Sequence, residues 1–270
     1  MHVCNIKTNM SAVILGILVL TALIVFWMSL RGNDTTRDCR MQRHKCRVPP
    51  ILVQTHQSTE RIRSNKDLAA AQDEWKGVCK QLGWQYTFYD DEACEAFVHS
   101  EFPSLLSAYQ NFPLPVMRAD LFRYLILYRY GGIYADADTR PIGTPEELDD
   151  VLRLGLCPDE EMAMARENRE HLCQWIFSAV PGATGLREVI EHVRERAGPD
   201  ATNVDMRGNE HEVHRVTGPG VFTDALQTDE NMARIRMIPE ARMHRGLVHH
   251  MFSGTWNDGW CQRRDKLVHK

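Results

Sequence analysis

The eight cysteines of this 270-residue chain include no CxxC pair, which removes a zinc ribbon from consideration. No contiguous basic stripe interleaved with aromatics occurs, and the formal net charge is only −4, from 32 basic and 36 acidic residues. A nucleic-acid partner is therefore not expected. The chain also lacks internal repeats and low-complexity segments, and 43% hydrophobic with 25% charged residues is globular rather than disordered composition. Between Lys80 and Lys266 there is no lysine at all.

What is present begins with one long apolar run. Residues 11–30, SAVILGILVLTALIVFWMSL, carry no charge, and about 20 residues at 1.5 Å rise cross a hydrocarbon core of ~30 Å. The following FWMSLRGND offers no small-x-small cleavage site, so the run reads as a retained transmembrane signal anchor rather than a cleaved signal. This divides the chain into a short cytoplasmic tail (1–10), the anchor (11–30), a polar stem (31–48) and one globular domain (49–270). Arg31, Arg37, Arg40, Arg43, Lys45 and Arg47 follow the anchor, and by the positive-inside rule alone they would hold its C-terminal side in the cytosol. If the domain is instead lumenal, seven cysteines share its compartment, and an odd count leaves at least one thiol without an internal partner.

Within the domain, strand and helix patterns alternate. ILVQT (51–55), WQYTFYD (84–90), GIYA (132–135), EEMAMARE (160–167) and CQWIFSAV (173–180) read as strands, and 67–83, 115–130 and 185–198 as helices. Short helices broken at Pro103 occupy 91–111. Such alternation predicts an α/β fold around a parallel sheet, with ligand loops at the carboxyl ends of its strands.

One of those ends is YGGIYADADTRP, residues 130–141. If this segment is extended, Asp136 and Asp138 point to the same side, with Ala137 turned away. Converging carboxylates suit Mg²⁺ or Mn²⁺, which complete their shell with phosphate oxygens and water. By itself D-x-D also describes an acidic surface turn. DADT further fits the nucleophile loop of haloacid-dehalogenase-type phosphatases, but those need a downstream lysine, and the Lys80–Lys266 gap denies it. Upstream, Asp120 and Arg123 share a helix face with Tyr124 beside them. They are either a structural ion pair in a buried helix or the lining of a donor pocket, with Asp120 accepting sugar or ribose hydroxyls.

PVMRADLFRYLILYRYGGIYADADT resembles the signature of glycosyltransferase family 32, the D-x-D sugar transferases. Four more segments resemble that family in order: PPILVQTHQS (49–58), HLCQWIFSAVPGATGLREVIEHV (171–193), VTGPGVFTDAL (216–226) and VHHMFSGTW (248–256). The last two look most like the initiation-specific α-1,6-mannosyltransferases of fungal Golgi membranes. The resemblance implies a GT-A nucleotide-sugar fold with a Rossmann-like central sheet, retaining transfer, Mn²⁺ (or Mg²⁺) dependence and a single-pass type II anchor with a lumenal domain in the Golgi or ER–Golgi membrane. Residue by residue it implies Asp138 as metal ligand and Asp136 near the ribose or a metal-bound water, the two serving catalysis together. His250 would be the second protein ligand, with His249 as fallback. Asp120, Arg123, Tyr124, Trp256 and Gly218 would bind the donor, Gly218 through the backbone of the Thr217–Gly220 turn. That turn could equally be a helix N-cap with Thr217 as the capping residue. Two departures stand out: Asn257-Asp258 replaces a lysine common after the tryptophan, and His56 stands where a tryptophan is common.

The expectation is a membrane-anchored mannosyltransferase using GDP-mannose to extend a glycan of N-glycan outer-chain type. A transferase of the same fold using UDP-galactose or UDP-GlcNAc, or mannosylating a sphingolipid, is the alternative. A catalytically silent lectin-like or scaffolding membrane protein is the rival outside the enzymes.

Overall fold

The computed structural model describes residues 47–205 and 211–251. The anchor read at 11–30, the stem to residue 46 and Trp256 lie outside the described residues. No helix among those described is long and apolar enough to cross a membrane.

The order of elements is β1 (Ile51–Thr55), α1 (Thr59–Ser64), α2 (Lys66–Leu82), β2 (Gln85–Tyr89), α3 (Asp91–Glu101), α4 (Leu106–Asn111), α5 (Pro115–Tyr130), β3 (Gly132–Ala135), β4 (Thr139–Pro141), α6 (Pro145–Asp149), β5 (Met162–Ala165), β6 (Ile176–Ala179), α7 (Thr184–Ala197), α8 (His211–Val216), α9 (Pro219–Leu226), β7 (Ile235–Ile238) and β8 (Val248–His250), with short 3₁₀ and π turns and the brief helical turns Asp229–Met232 and Glu240–Arg242 between. Six strands form one sheet in the order β2-β1-β3-β6-β5-β7, and β4 pairs with β8 in a second, two-stranded sheet. Neighbouring residues of the large sheet face opposite layers. Val53, Tyr134 and Met164 join the core beneath α5, α7, α8 and α9. Leu52, Ile133 and Ala163 join the core beneath α2 and α6. This is the α/β architecture that the alternating pattern indicated.

The sheet is mixed, not parallel through its core. β1 runs parallel to β2 and β3, and β5 parallel to β7, but β6 is antiparallel to both β3 and β5. The cause is the β5–β6 connection, where Arg166 bridges Leu172 in an antiparallel hairpin. A parallel neighbour would need a crossover of a dozen residues or more.

Helix α5 is buried around most of its circumference, from Met117 and Asp120 through Leu127, which is why its pattern reads as apolar on every side. It ends at the glycine pair for a steric reason. Gly131 has φ +66° and Gly132 φ +107°; a Cβ on Gly131 would lie 2.6 Å from Pro181 Cδ, and one on Gly132 2.7 Å from the Ile51 carbonyl oxygen. Only glycine permits this turn from helix into β3. Of the described cysteines, Cys79, Cys94 and Cys173 are buried free thiols, whereas Cys157 is disulfide-bonded.

Candidate active site

β3 delivers Asp136 to the carboxyl edge of the sheet, where its amide donates to the Trp175 carbonyl at 2.8 Å. The chain then turns rather than extends. Thr139 N donates to the Asp136 carbonyl at 3.1 Å, and that oxygen also accepts from Thr139 Oγ1 at 2.6 Å and Gln54 Nε2 at 3.1 Å. The two carboxylates therefore converge through a tight turn and not through strand alternation. Ala137 points away, against Ile62 and Leu68.

The turn feeds β4, which pairs with β8 so that Thr139 lies opposite His250. This pairing brings His250 to Asp138, 112 residues away in sequence, with Nε2 3.1 Å from Oδ1. Its ring stacks on Trp175 at 4.7 Å and 9°. His249 sits opposite Arg140 on the exposed side, so His250 is the histidine delivered to the site. Ligand atoms of Asp136, Asp138 and His250 all lie within 4.8 Å of one another. Two hard carboxylates and an imidazole so close together fit a Mn²⁺- or Mg²⁺-type ion. Burial pushes the His250 imidazole down, but the hydrogen bond and charge of Asp138 outweigh it, and the net shift is upward.

Behind Asp136 lies a closed polar layer. Its Oδ1 accepts from Tyr134 OH at 2.8 Å and Arg123 Nη2 at 3.0 Å. Arg123 lies 3.3 Å from Asp120 Oδ1 and over the Tyr134 ring at 4.9 Å. Asp120, 1% exposed, also accepts from Thr217 Oγ1 at 3.0 Å and Gln174 Nε2 at 3.3 Å. Burial pushes both carboxyls upward, and the Arg123 guanidinium pulls them back. A buried charge is tolerable only when paired in this way.

This layer bears on three sequence expectations. Asp120 has both oxygens engaged by protein and offers none to a hydroxyl in this conformation. Tyr124 is fully buried, its one hydroxyl proton shared between the Thr217 carbonyl at 2.8 Å and Gln174 Oε1, while its ring stacks on Phe222; its side chain sits in the core behind the site. Gly218 is the residue that caps α9, and its amide donates to the Val213 carbonyl at 2.7 Å rather than facing a ligand. Thr217 is not the cap, because its hydroxyl is committed to Asp120. His56, at the end of β1, is half-buried and within electrostatic reach of Asp91 and Asp138; burial holds its imidazole low.

Three contributors escaped the sequence reading. Tyr134 had a visible signal, two residues before Asp136 on a short strand. Gln174 and Trp175 had none, because a hairpin of the antiparallel half brings them in.

Residues 64–153 match the family model described as a glycosyltransferase sugar-binding region containing a DXD motif. The matched region is the part of the chain around the DXD turn. It carries Asp120, Arg123, Tyr124, Asp136 and Asp138, while His250 lies beyond it. The chain is 32% identical to HOC1 of Saccharomyces cerevisiae over 200 residues, 67% of this chain and 49% of that protein. It is 32% identical to the initiation-specific alpha-1,6-mannosyltransferase of Schizosaccharomyces pombe over 159 residues, 53% and 40% of the two chains. To inositol phosphoceramide mannosyltransferase 3 of the same yeast it is 32% identical over 110 residues, 39% and 27%. The chain thus spans about half the length, or less, of these relatives.

Proposed function

We propose that this chain is a metal-dependent glycosyltransferase of GT-A type that transfers mannose from GDP-mannose to a glycan hydroxyl. The observation that carries this reading is the Asp136–Asp138–His250 cluster, three ligand atoms within 4.8 Å, built on the DXD region. Mannosyl transfer is supported by the activities for which the relatives in Schizosaccharomyces pombe are named. Asp138 and His250, with Asp136, would hold Mn²⁺ or Mg²⁺. Such an ion, when bound, supplies positive charge to a diphosphate leaving group.

The chain's own residues define the remaining steps. Arg123 fixes Asp136 through a charged hydrogen bond, and Tyr134 adds a second donor to the same oxygen. Trp175 clamps the His250 ring, so the imidazole approaches Asp138 in one orientation. Asp120 and Gln174 hold Arg123 and the Asp136 turn from behind rather than touching the donor. Preorganised charge of this kind is what lets a site stabilise a transition state without rearranging. We assign the domain to residues 49–270, and the run at 11–30 to a type II anchor that places this domain in the Golgi lumen.

The similarity to inositol phosphoceramide mannosyltransferases favours a second reading of the acceptor, a sphingolipid headgroup in place of a glycan. One experiment separates these. The chain is incubated with Mn²⁺, a panel of GDP- and UDP-sugars, and either a mannan oligosaccharide or inositol phosphoceramide. GDP release from GDP-mannose that requires the oligosaccharide and stops with chelator is the expected result. Release only with the lipid moves the acceptor, release only from a UDP-sugar moves the donor, and no release from any donor contradicts the enzyme reading.

A further inference from the structure

We propose that Gln54 and Thr139 are positioning residues of this site, fixing the backbone of the DXD turn from the sheet face opposite Arg123. The inference rests on the metal-site reading above and extends it to the peptide backbone beneath the carboxylates. The Arg123 layer holds the Asp136 carboxylate on the side of the sheet where Tyr134 lies. Gln54 follows Leu52 by two residues in β1, so both face the other layer, where Trp75 of α2 packs. Gln54, Trp75 and Thr139 are all 0% exposed.

Two relays of hydrogen bonds end there on one atom, the Asp136 carbonyl oxygen. In the first, Tyr86 OH donates to Gln54 Oε1 at 2.9 Å, which turns the amide so that Nε2 donates to the Asp136 oxygen at 3.1 Å. In the second, Trp75 Nε1 shares its one proton between the Thr139 carbonyl at 3.0 Å and Thr139 Oγ1 at 3.1 Å. An indole nitrogen can only donate, so the Thr139 hydroxyl directs its own proton onward, to the Asp136 oxygen at 2.6 Å. Neither inner donor is free to rotate away, because an outer donor fixes its orientation. The planar peptide between Asp136 and Ala137 is held in turn, and with it the directions in which the two carboxylates leave the turn. The hold extends to the histidine. Thr139 lies opposite His250 in the β4–β8 pair, and Met251 N donates to the Asp138 carbonyl at 2.9 Å. All three candidate ligand residues are thus tied to one buried scaffold. Groups that orient metal ligands in this way govern metal affinity by about 10–100-fold, whereas a purely structural role would lower stability and leave the affinity of the folded chain intact.

The test is the Mn²⁺ affinity of the full, GDP-saturated chain, measured by calorimetry at a temperature where each variant is folded. Gln54→Met keeps the length of the side chain and removes its amide, and Thr139→Val keeps the shape and removes the hydroxyl. Affinity should fall about 10–100-fold in each. Tyr86→Phe removes only an outer donor, on a partly buried ring, and should lower affinity about threefold. Val151→Ala trims an apolar side chain in the same core; its melting temperature should drop while its affinity stays at the wild-type value. Wild-type affinity in Gln54→Met or in Tyr86→Phe overturns the inference, as does an equal loss in Val151→Ala. A wild-type chain that binds no Mn²⁺ overturns it outright. Because affinity is read without turnover, a chain inactive on every donor contradicts the glycosyltransferase reading while the affinity ratios still decide this one.

Discussion

The two aspartates of the DXD turn sit two residues apart but belong to different environments. Asp136 faces inward onto Arg123 and Tyr134, in a layer that continues to Asp120, Gln174, Thr217 and Tyr124 with its oxygens and nitrogens largely paired. Asp138 pairs instead with His250; the difference lies in partners and not in exposure, since the Asp136, Asp138 and His250 side chains are 23%, 17% and 14% exposed. The inner layer resembles a buried salt-bridge network whose members depend on one another. The outer pair resembles a ligand site waiting for charge from elsewhere. One motif therefore does two jobs: Asp136 fixes the turn, and Asp138 presents it.

Mutations should separate the two layers. The largest effect is expected inside. Arg123→Met leaves Asp120 buried, and Asp136 partly so, without their cation, and breaking a buried pair costs about 3–5 kcal/mol; chemical denaturation should show that loss in the midpoint. Asp138→Ala should do the reverse, lowering turnover by about 10²–10³-fold while the denaturation midpoint stays near wild type. A midpoint that drops as far as that of Arg123→Met would erase the distinction between the layers. Smaller again, His250→Ala should weaken Mn²⁺ binding by about tenfold or more, ~1.4 kcal/mol, whereas His249→Ala should leave it unchanged. Calorimetry on the two variants sharpens which histidine belongs to the outer layer. Smallest is Tyr124→Phe, which removes the one proton shared between the Thr217 carbonyl and the Gln174 amide oxygen, at about 1 kcal/mol. Its donor KM should not move; a raised KM would return Tyr124 to the ligand side.

The same division explains what could be read from the sequence. Helix α5, its glycine stop and the strand before the DXD turn announce themselves locally, because burial on all sides and a positive φ leave marks on single residues. The D-x-D carboxylates are equally visible. His250 could be named only through resemblance, since strand pairing across 112 residues has no local signature. The antiparallel placement of β6 was illegible for a related reason. Its cause is a hairpin of ordinary loop residues, and a short buried strand reads the same in either direction. With β6 misdirected, Gln174 and Trp175 could not be placed. Tyr124 and Gly218 are the reverse case. Their polar atoms looked free in one dimension, but the carbonyls of Thr217 and Val213 occupy them in three.

The most direct test is a calorimetric titration of Mn²⁺ into the wild-type chain and Asp138→Ala, each saturated with GDP. One ion per chain in the wild type, and an affinity reduced at least tenfold in the variant, is the expected result. Equal affinity in the two proteins would mean that the outer pair does not hold the metal, and the division of the site into a fixing and a presenting aspartate would fail with it.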